Sequence, residues 1–144
     1  MKNDRVEQQL ENLRALRALG PTEAAVAVLR KALRDRVNVV VAKAAAITAE
    51  FQLQSLIPDL LEVFNRLFEK VRDTDPQCWG KNALAKALKD LGHSESAAFL
   101  RGMRHIQMEP VWGGEADTAA PLRGTCVLAV VQCIDIPREE TCFI

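Results

Sequence analysis

The chain has 144 residues, 49% of them hydrophobic and 26% charged, with 19 Lys and Arg against 19 Asp and Glu. That length and apolar content fit one domain with a hydrophobic core and exclude a disordered or collagen-like chain. A formal net charge of zero removes any general electrostatic pull toward nucleic acid or an anionic membrane, and 5% aromatics with no Tyr favour close-packed helices over sheet.

Met1-Lys2-Asn3-Asp4-Arg5 leads into a charged amphipathic stretch without the apolar core of a secretory signal, so a cytoplasmic location is expected. From residue 4 to 19, Val6, Leu10, Leu13, Leu16 and Leu19 recur at threes and fours and Gly20-Pro21 ends the pattern, which predicts an amphipathic helix. Pro21-Thr22-Glu23 starts a second helix, whose stripe of Ala25, Val28, Leu29, Ala32 and Leu33 lies opposite Arg30, Lys31 and Arg34. The two form a first antiparallel pair, residues 4–35.

A second pair spans residues 37–71. Its first helix, 37–50, is rich in Val and Ala, with β-branched Val39-Val40-Val41 in the opening turn. Its second starts at Ser55 as N-cap with Pro58 in the first turn and carries Leu56, Ile57, Leu60, Leu61, Phe64, Leu67 and Phe68 on a broad apolar face. A third pair, 76–104, follows Asp73-Thr74-Asp75-Pro76. Its first helix takes in Cys78, Trp79, Leu84, Ala87, Leu88 and Leu91 and closes on Gly92; its second, 94–104, presents Ala97, Phe99, Leu100 and Met103.

Residues 105–116 (HIQMEPVWGGEA) have no helical period and contain Pro110 and Gly113-Gly114, so they read as a loop inserted between units. A seventh helix is expected from an Asp117-Thr118 cap through Pro121, Leu122, Cys126, Ala129, Val130 and Cys133, with a buried strand as the alternative for its apolar second half. Ile136-Pro137-Arg138-Glu139-Glu140 looks like the start of one more helix, leaving the last pair, 117–144, incomplete. The most apolar windows, 39–47 and 126–134, fall far short of the roughly 20 residues that a membrane span requires.

Aligning Lys43, Lys81 and Arg123 brings Ala49, Ala87 and Ala129 into register at spacings of 38 and 42, and places Asp75 and Asp117 six residues before the second and third basic positions. At these residues, and in second helices of the type SLIPDLLEVF (55–64) and EAAVAVLRKALRD (23–35), the chain resembles the HEAT repeat family. The resemblance covers essentially the whole chain. It implies an all-α, right-handed α-solenoid of about three and a half antiparallel helix pairs, one domain over residues 1–144, with Asp75, Lys81, Asp117 and Arg123 as structural residues that pair between neighbouring units. The first unit departs from the pattern as capping units do.

Chemistry-bearing motifs are absent: there is no GxGxxG, Walker-type loop, GxSxG or HExxH. Cys78, Cys126, Cys133 and Cys142 form no CxxC pair and are not spaced with His93 or His105, so they read as small buried thiols, zinc or a disulfide being the alternative. His105 beside Cys78 or Cys126 has no support from spacing as a thiol-imidazole pair. No cofactor or metal is expected. Residues 1–43 hold nine basic and five acidic side chains, and Arg30, Lys31, Arg34 and Arg36 suggest a cationic surface. A solvated helix face accounts for them more simply than DNA binding.

Residues 106–116 carry the functional expectation, because Trp112 and Met108 stand in a segment that is ordinarily polar, near Arg101 and Arg104, and Trp, Met and Arg are enriched in binding interfaces. The competing structural reading folds Trp112 back over a gap between units. The sequence thus points to a non-enzymatic scaffold that binds an as yet unidentified protein. The alternative is a HEAT-like enzyme or subunit similar to phycobilin lyases or alkylpurine DNA glycosylases. Val127, Val130 and Val131 are expected to be incompletely covered, which implies self-association through that end or a longer parent chain.

Overall fold

The computed structural model describes residues 2–136. The described chain is mostly helical, with eight α-helices and one two-stranded sheet: α1 (Lys2–Leu19), α2 (Glu23–Leu33), α3 (Asn38–Glu50), α4 (Ile57–Arg66), α5 (Val71–Thr74), α6 (Trp79–Asp90), α7 (Ala97–Met103), β1 (Met108–Val111), β2 (Gly114–Asp117) and α8 (Ala120–Val130). Short 3-10 turns at Gln54–Leu56 and Pro76–Cys78 lead into α4 and α6.

Local chemistry places several of these boundaries. Thr22 caps α2 by accepting from the Ala25 amide at 3.1 Å. Gly92, at φ 76°, ends α6, and the His93 amide reaches back to the Leu88 carbonyl in a Schellman turn. The Val39-Val40-Val41 run is helical despite its β-branching, because Val40 and Val41 are fully buried and packing outweighs propensity.

Other boundaries differ from those expected. Ser55 is no N-cap: it lies inside the 3-10 turn, α4 starts at Ile57, and Leu67 and Phe68 fall beyond its end. The helix expected over 94–104 is confined to Ala97–Met103. The 120–130 segment is a helix, so the strand alternative falls, and Cys133 lies past its end; its N-cap is Ala119 rather than the expected Asp117-Thr118, because Asp117 closes strand β2. The expected helix opening at 136–140, and with it the second half of the last pair, lies outside the described residues, as does Cys142.

Helix contacts run in two series. α1 packs on α3, α3 on α6 and α6 on α8, while α2 packs on α4 and α4 on α7; α2 also meets α3, α4 meets α6, and α7 meets α8. A continuous core fills the space between them, from Leu13 and Leu29 through Val41, Leu60, Phe64, Leu84 and Phe99 to Leu122 and Val130. Val130, expected to be incompletely covered, is therefore buried, because it faces the core side of α8, while Val127 and Val131 are exposed. Each fully buried Leu or Phe there contributes on the order of 2 kcal/mol relative to exposure. Gly102 sets the α7–α8 approach: a Cβ at that position would stand 2.5 Å from Cys126 Sγ.

Burial corrects the repeat register. Val41, Ala44, Ala45 and Thr48 on α3 occupy the positions of Lys81, Leu84, Ala85 and Leu88 on α6, all at least nearly solvent-free, a spacing of 40 rather than 38. The equivalent of Lys81 is therefore Val41, and Lys43 is only partly buried. On α8 the spacing of 42 stands, with Arg123, Cys126 and Val130 matching Lys81, Leu84 and Leu88. The corrected register adds Asp35 to Asp75 and Asp117 as a third aspartate preceding each of these helices.

Candidate functional site

Asp75 and Lys81 are both fully buried and lie 3.0 Å apart. The carboxylate accepts from the Gly80 amide (2.7 Å), the Lys81 amide (2.9 Å) and Asn38 Nδ2 (2.8 Å), so it caps the amino end of α6 and ties that end to α3. Lys81 Nζ donates to the Leu67 carbonyl at 3.1 Å and stands over the Phe68 ring. Asp75–Lys81 and Asp117–Arg123 (2.6 Å) each join residues six apart at the start of one helix, rather than residues of neighbouring helix pairs as expected, and Asn38 on α3 supplies a bond to Asp75 from another helix. Gly80 has no room for a side chain, since a Cβ would meet Leu67 Cδ1 at 2.7 Å and Asp75 Oδ1 at 2.9 Å.

The three aspartates divide into two roles. Asp35 and Asp117 each accept from the amide two residues on, Val37 and Ala119. Asp75 turns inward instead, and the equivalent amide, Gln77, is taken by both oxygens of Glu109 at 3.0 and 2.8 Å. Gln77 and Cys78, both at φ 60°, carry the backbone through this bend in the left-handed region.

Glu109 belongs to β1, and this bond explains why the 105–116 segment is not an irregular loop. It forms an antiparallel hairpin with Met108 opposite Asp117 and Val111 opposite Gly114, closed by the two-residue turn Trp112-Gly113, where Gly113 takes φ 89°. Further bonds fix its base. Glu109 also accepts from Thr118 Oγ1 and Gln107 Nε2, Gln107 Nε2 reaches the Asp75 carbonyl at 2.8 Å, Asp117 accepts from the Gln107 amide, and Arg72 donates to the Met108 carbonyl while lying 3.5 Å from Glu115. Burial pushes the Glu109 carboxyl upward, but the bonds from Thr118, Gln77 and Gln107 outweigh it and hold it below the ordinary range. Backbone bonds from Gln107 and Ala119, with Arg123, bring Asp117 down to about 2.

The tip is free of the body. Trp112 is fully exposed (103%), which overturns the reading that it folds over a gap between units; Ile106, Met108 and Val111 are also exposed. Met108 and Trp112 share this hairpin. Arg101 and Arg104, both exposed, stand on and just after α7, and Arg101 is engaged by its own chain: its guanidinium lies 4.3 Å from the Phe68 ring centre and donates to Asn65 Oδ1. The sequence alone did not single out Arg72 and Glu109 as clamps. The available signal was period-two alternation, with Gln107 and Glu109 inward and Met108 and Pro110 outward, but the inward residues are polar and a hydropathy pattern does not see them.

Trp79 differs from the other apolar residues expected on the fifth helix: it is half-exposed beside a groove of about 830 Å³ floored by Ala46, Ala49, Ala83 and Ala87 and edged by Glu50, Lys86 and Asp90. Among the cationic cluster, Arg30 and Arg34 both turn to Asp59, at 3.4 and 3.8 Å, across the α2–α4 contact. Cys78, Cys126 and Cys133 are free and buried, and burial pushes the thiols of Cys78 and Cys126 up to about 12. They are thereby kept as unreactive thiols. His105 bonds Gln107 and packs edge-on against Phe68, and burial lowers its pKa. No helix among the described residues is long and apolar enough to cross a membrane. Comparison with protein-family models, curated proteins and solved structures yields no match.

Proposed function

We propose that the chain is a non-enzymatic, cytoplasmic scaffold of HEAT-like type, a right-handed α-solenoid of stacked helix pairs, which binds another protein through the tip of its hairpin. The succession of contacts α1–α3–α6–α8 and α2–α4–α7 and the repeat spacings of 40 and 42 support the solenoid reading. The observation that carries the binding role is Trp112: a fully exposed indole on a two-residue turn whose base is held by Glu109, Gln107 and Arg72.

An exposed Trp on a pre-ordered turn suits recognition energetically. Its ring supplies a large apolar surface, and little ordering is left for the partner to impose. Met108 and Val111 widen the apolar contact, and Arg104 supplies an exposed cation nearby in sequence. The partner that fits is a protein with an apolar pocket wide enough for an indole.

The test is affinity capture from the source cell, followed by direct binding of the recovered partner to purified chain. Trp112→Ala is expected to retain the wild-type circular dichroism and melting temperature and to weaken binding by about 30-fold, the share of a hot-spot Trp. Binding of equal strength by the variant overturns the reading.

A further inference from the structure

The two strands of the hairpin have outer edges of unequal character. The Thr118 amide donates to the Gln107 carbonyl at 2.9 Å, so residues 107 and 118 are a hydrogen-bonded pair, and alternation makes Glu109 with Ala116 and Val111 with Gly114 the next bonded pairs. The pairs between them, Met108 with Asp117 and Pro110 with Glu115, turn their backbone amides and carbonyls away from the partner strand.

On β1 that outward row is closed. Pro110 has no amide hydrogen, and the Met108 carbonyl is taken by Arg72 Nη2 at 3.1 Å. Sheets blunt their edges with such devices, because an open edge is a template for a further strand. β2 has neither: it contains no proline, and the Glu115 amide, the Glu115 carbonyl and the Asp117 amide have no hydrogen-bond partner among the described residues. No other element packs on β2 as β1 does, and Gly114 and Glu115 are exposed.

Resting on the reading of the hairpin as the docking element, we propose that the partner binds by laying an extended segment along the outer edge of β2 as a third, antiparallel strand. The Glu115 amide and carbonyl bond one residue of that segment, and the Asp117 amide donates to the carbonyl two residues before it. The occupant is a segment of another protein and not β2 of a second copy. A two-fold pairing of β2 with itself sets Glu115 and Asp117 against the same carboxylates of the copy, and like charges directly opposite destabilise a sheet. The same carboxylates select neutral or basic residues at the positions across from them. Continued past Gly114, the segment reaches the turn that carries Trp112, so one mode of binding uses both the open edge and the exposed indole.

The probe is a phage-displayed library of random dodecapeptides selected on the immobilised full chain. Selected peptides are expected to bind Glu115→Pro at least about 30-fold more weakly, since proline is tolerated on an edge strand but deletes an outward amide and obstructs the approach of a third strand. Glu115→Ala keeps the amide and loses only the ion pair to Arg72 and the cross-strand charge, so it is expected to cost at most about fivefold. N-methylation of a selected peptide, one amide at a time, gives a reading that needs no variant: every second position is expected to cost at least about tenfold and the intervening ones at most about twofold. Equal affinity for wild type and Glu115→Pro, N-methyl costs without alternation, or a library that enriches no peptide overturns the proposal. Trp112→Ala separates the edge from the indole. Peptides that survive Trp112→Ala and are lost with Glu115→Pro keep the edge and remove the indole; the converse removes the edge and leaves the Trp112 reading standing.

Discussion

Lys81 and Asp75 show how a charged pair can sit at the centre of a helical core. Removing both charges from water costs several kcal/mol per ion, and the attraction between them offsets this only when the remaining donors and acceptors are also satisfied. Here they are: the carboxylate has Asn38 and two helix amides besides the ammonium, and the ammonium has the Leu67 carbonyl and the Phe68 ring. Lys81→Ala strands a buried carboxylate and is expected to destabilise by about 3–5 kcal/mol in urea denaturation. A cost within about 0.5 kcal/mol would show that the pair is dispensable. The acid side of the stability profile follows from Asp117 and His105. Asp117 has its folded pKa depressed to about 2, so its contribution is complete above the unfolded value of roughly 3.9 and is lost as pH falls toward 2. His105 is a base whose pKa burial lowers, so its contribution is complete above roughly 6.5 and declines as the unfolded imidazole takes up protons. Urea midpoints are therefore expected to sag below about pH 6.5 and to fall steeply below about pH 4, with Asp117→Asn flattening the acid end. An unchanged acid limb in that variant would remove Asp117 from the explanation. At this scale the sequence was partly legible: Asp75, Lys81, Asp117 and Arg123 stood out by spacing. Asp35 did not, because aligning on like charges put Lys43 where burial puts Val41.

Elements divide into those written by apolar periodicity and those written by polar bonds. α1, α2, α6 and α8 were legible because their buried positions recur at helical spacing and Thr22, Gly92 and Pro121 mark boundaries. The bend from α5 through the 3-10 turn into α6 was not, since it depends on Asp75 reaching forward to Gly80 and Lys81, a bond with no hydropathy signature. The hairpin was hidden for the same reason. Its inward side chains, Gln107 and Glu109, are polar, and what they satisfy lies about 32 residues earlier at Asp75 and Gln77. Glu109 is thus the joint between hairpin and body. Glu109→Ala is expected to expose the Gln77 amide and raise hydrogen exchange across Gln77 and residues 107–118 by at least about tenfold, leaving α2 and α3 protected. Unchanged exchange would mean that Arg72 and Gln107 hold the hairpin without it.

At the scale of the whole molecule, two contact series of helices and a neutral overall charge conceal an uneven surface. The exposed side of α1 is largely polar, α8 leaves Val127 and Leu128 exposed, and a clamped hairpin holds Trp112 in solvent. The candidate site was half legible: Trp112 and Met108 attracted attention as misplaced apolar residues, and both are exposed. Arg101 did not behave as a free contact residue, because Phe68 and Asn65 lie within its reach, a juxtaposition no spacing rule encodes across 33 or more positions. The central claim, that Trp112 is where a partner docks, is tested most directly by placing a photo-reactive phenylalanine analogue at position 112 in the source cell, with the exposed position of Val28 as the control site. Irradiation is expected to join the chain at position 112 to one predominant protein that position 28 does not capture. Equal and diffuse labelling from both positions, or none from 112, would contradict the account.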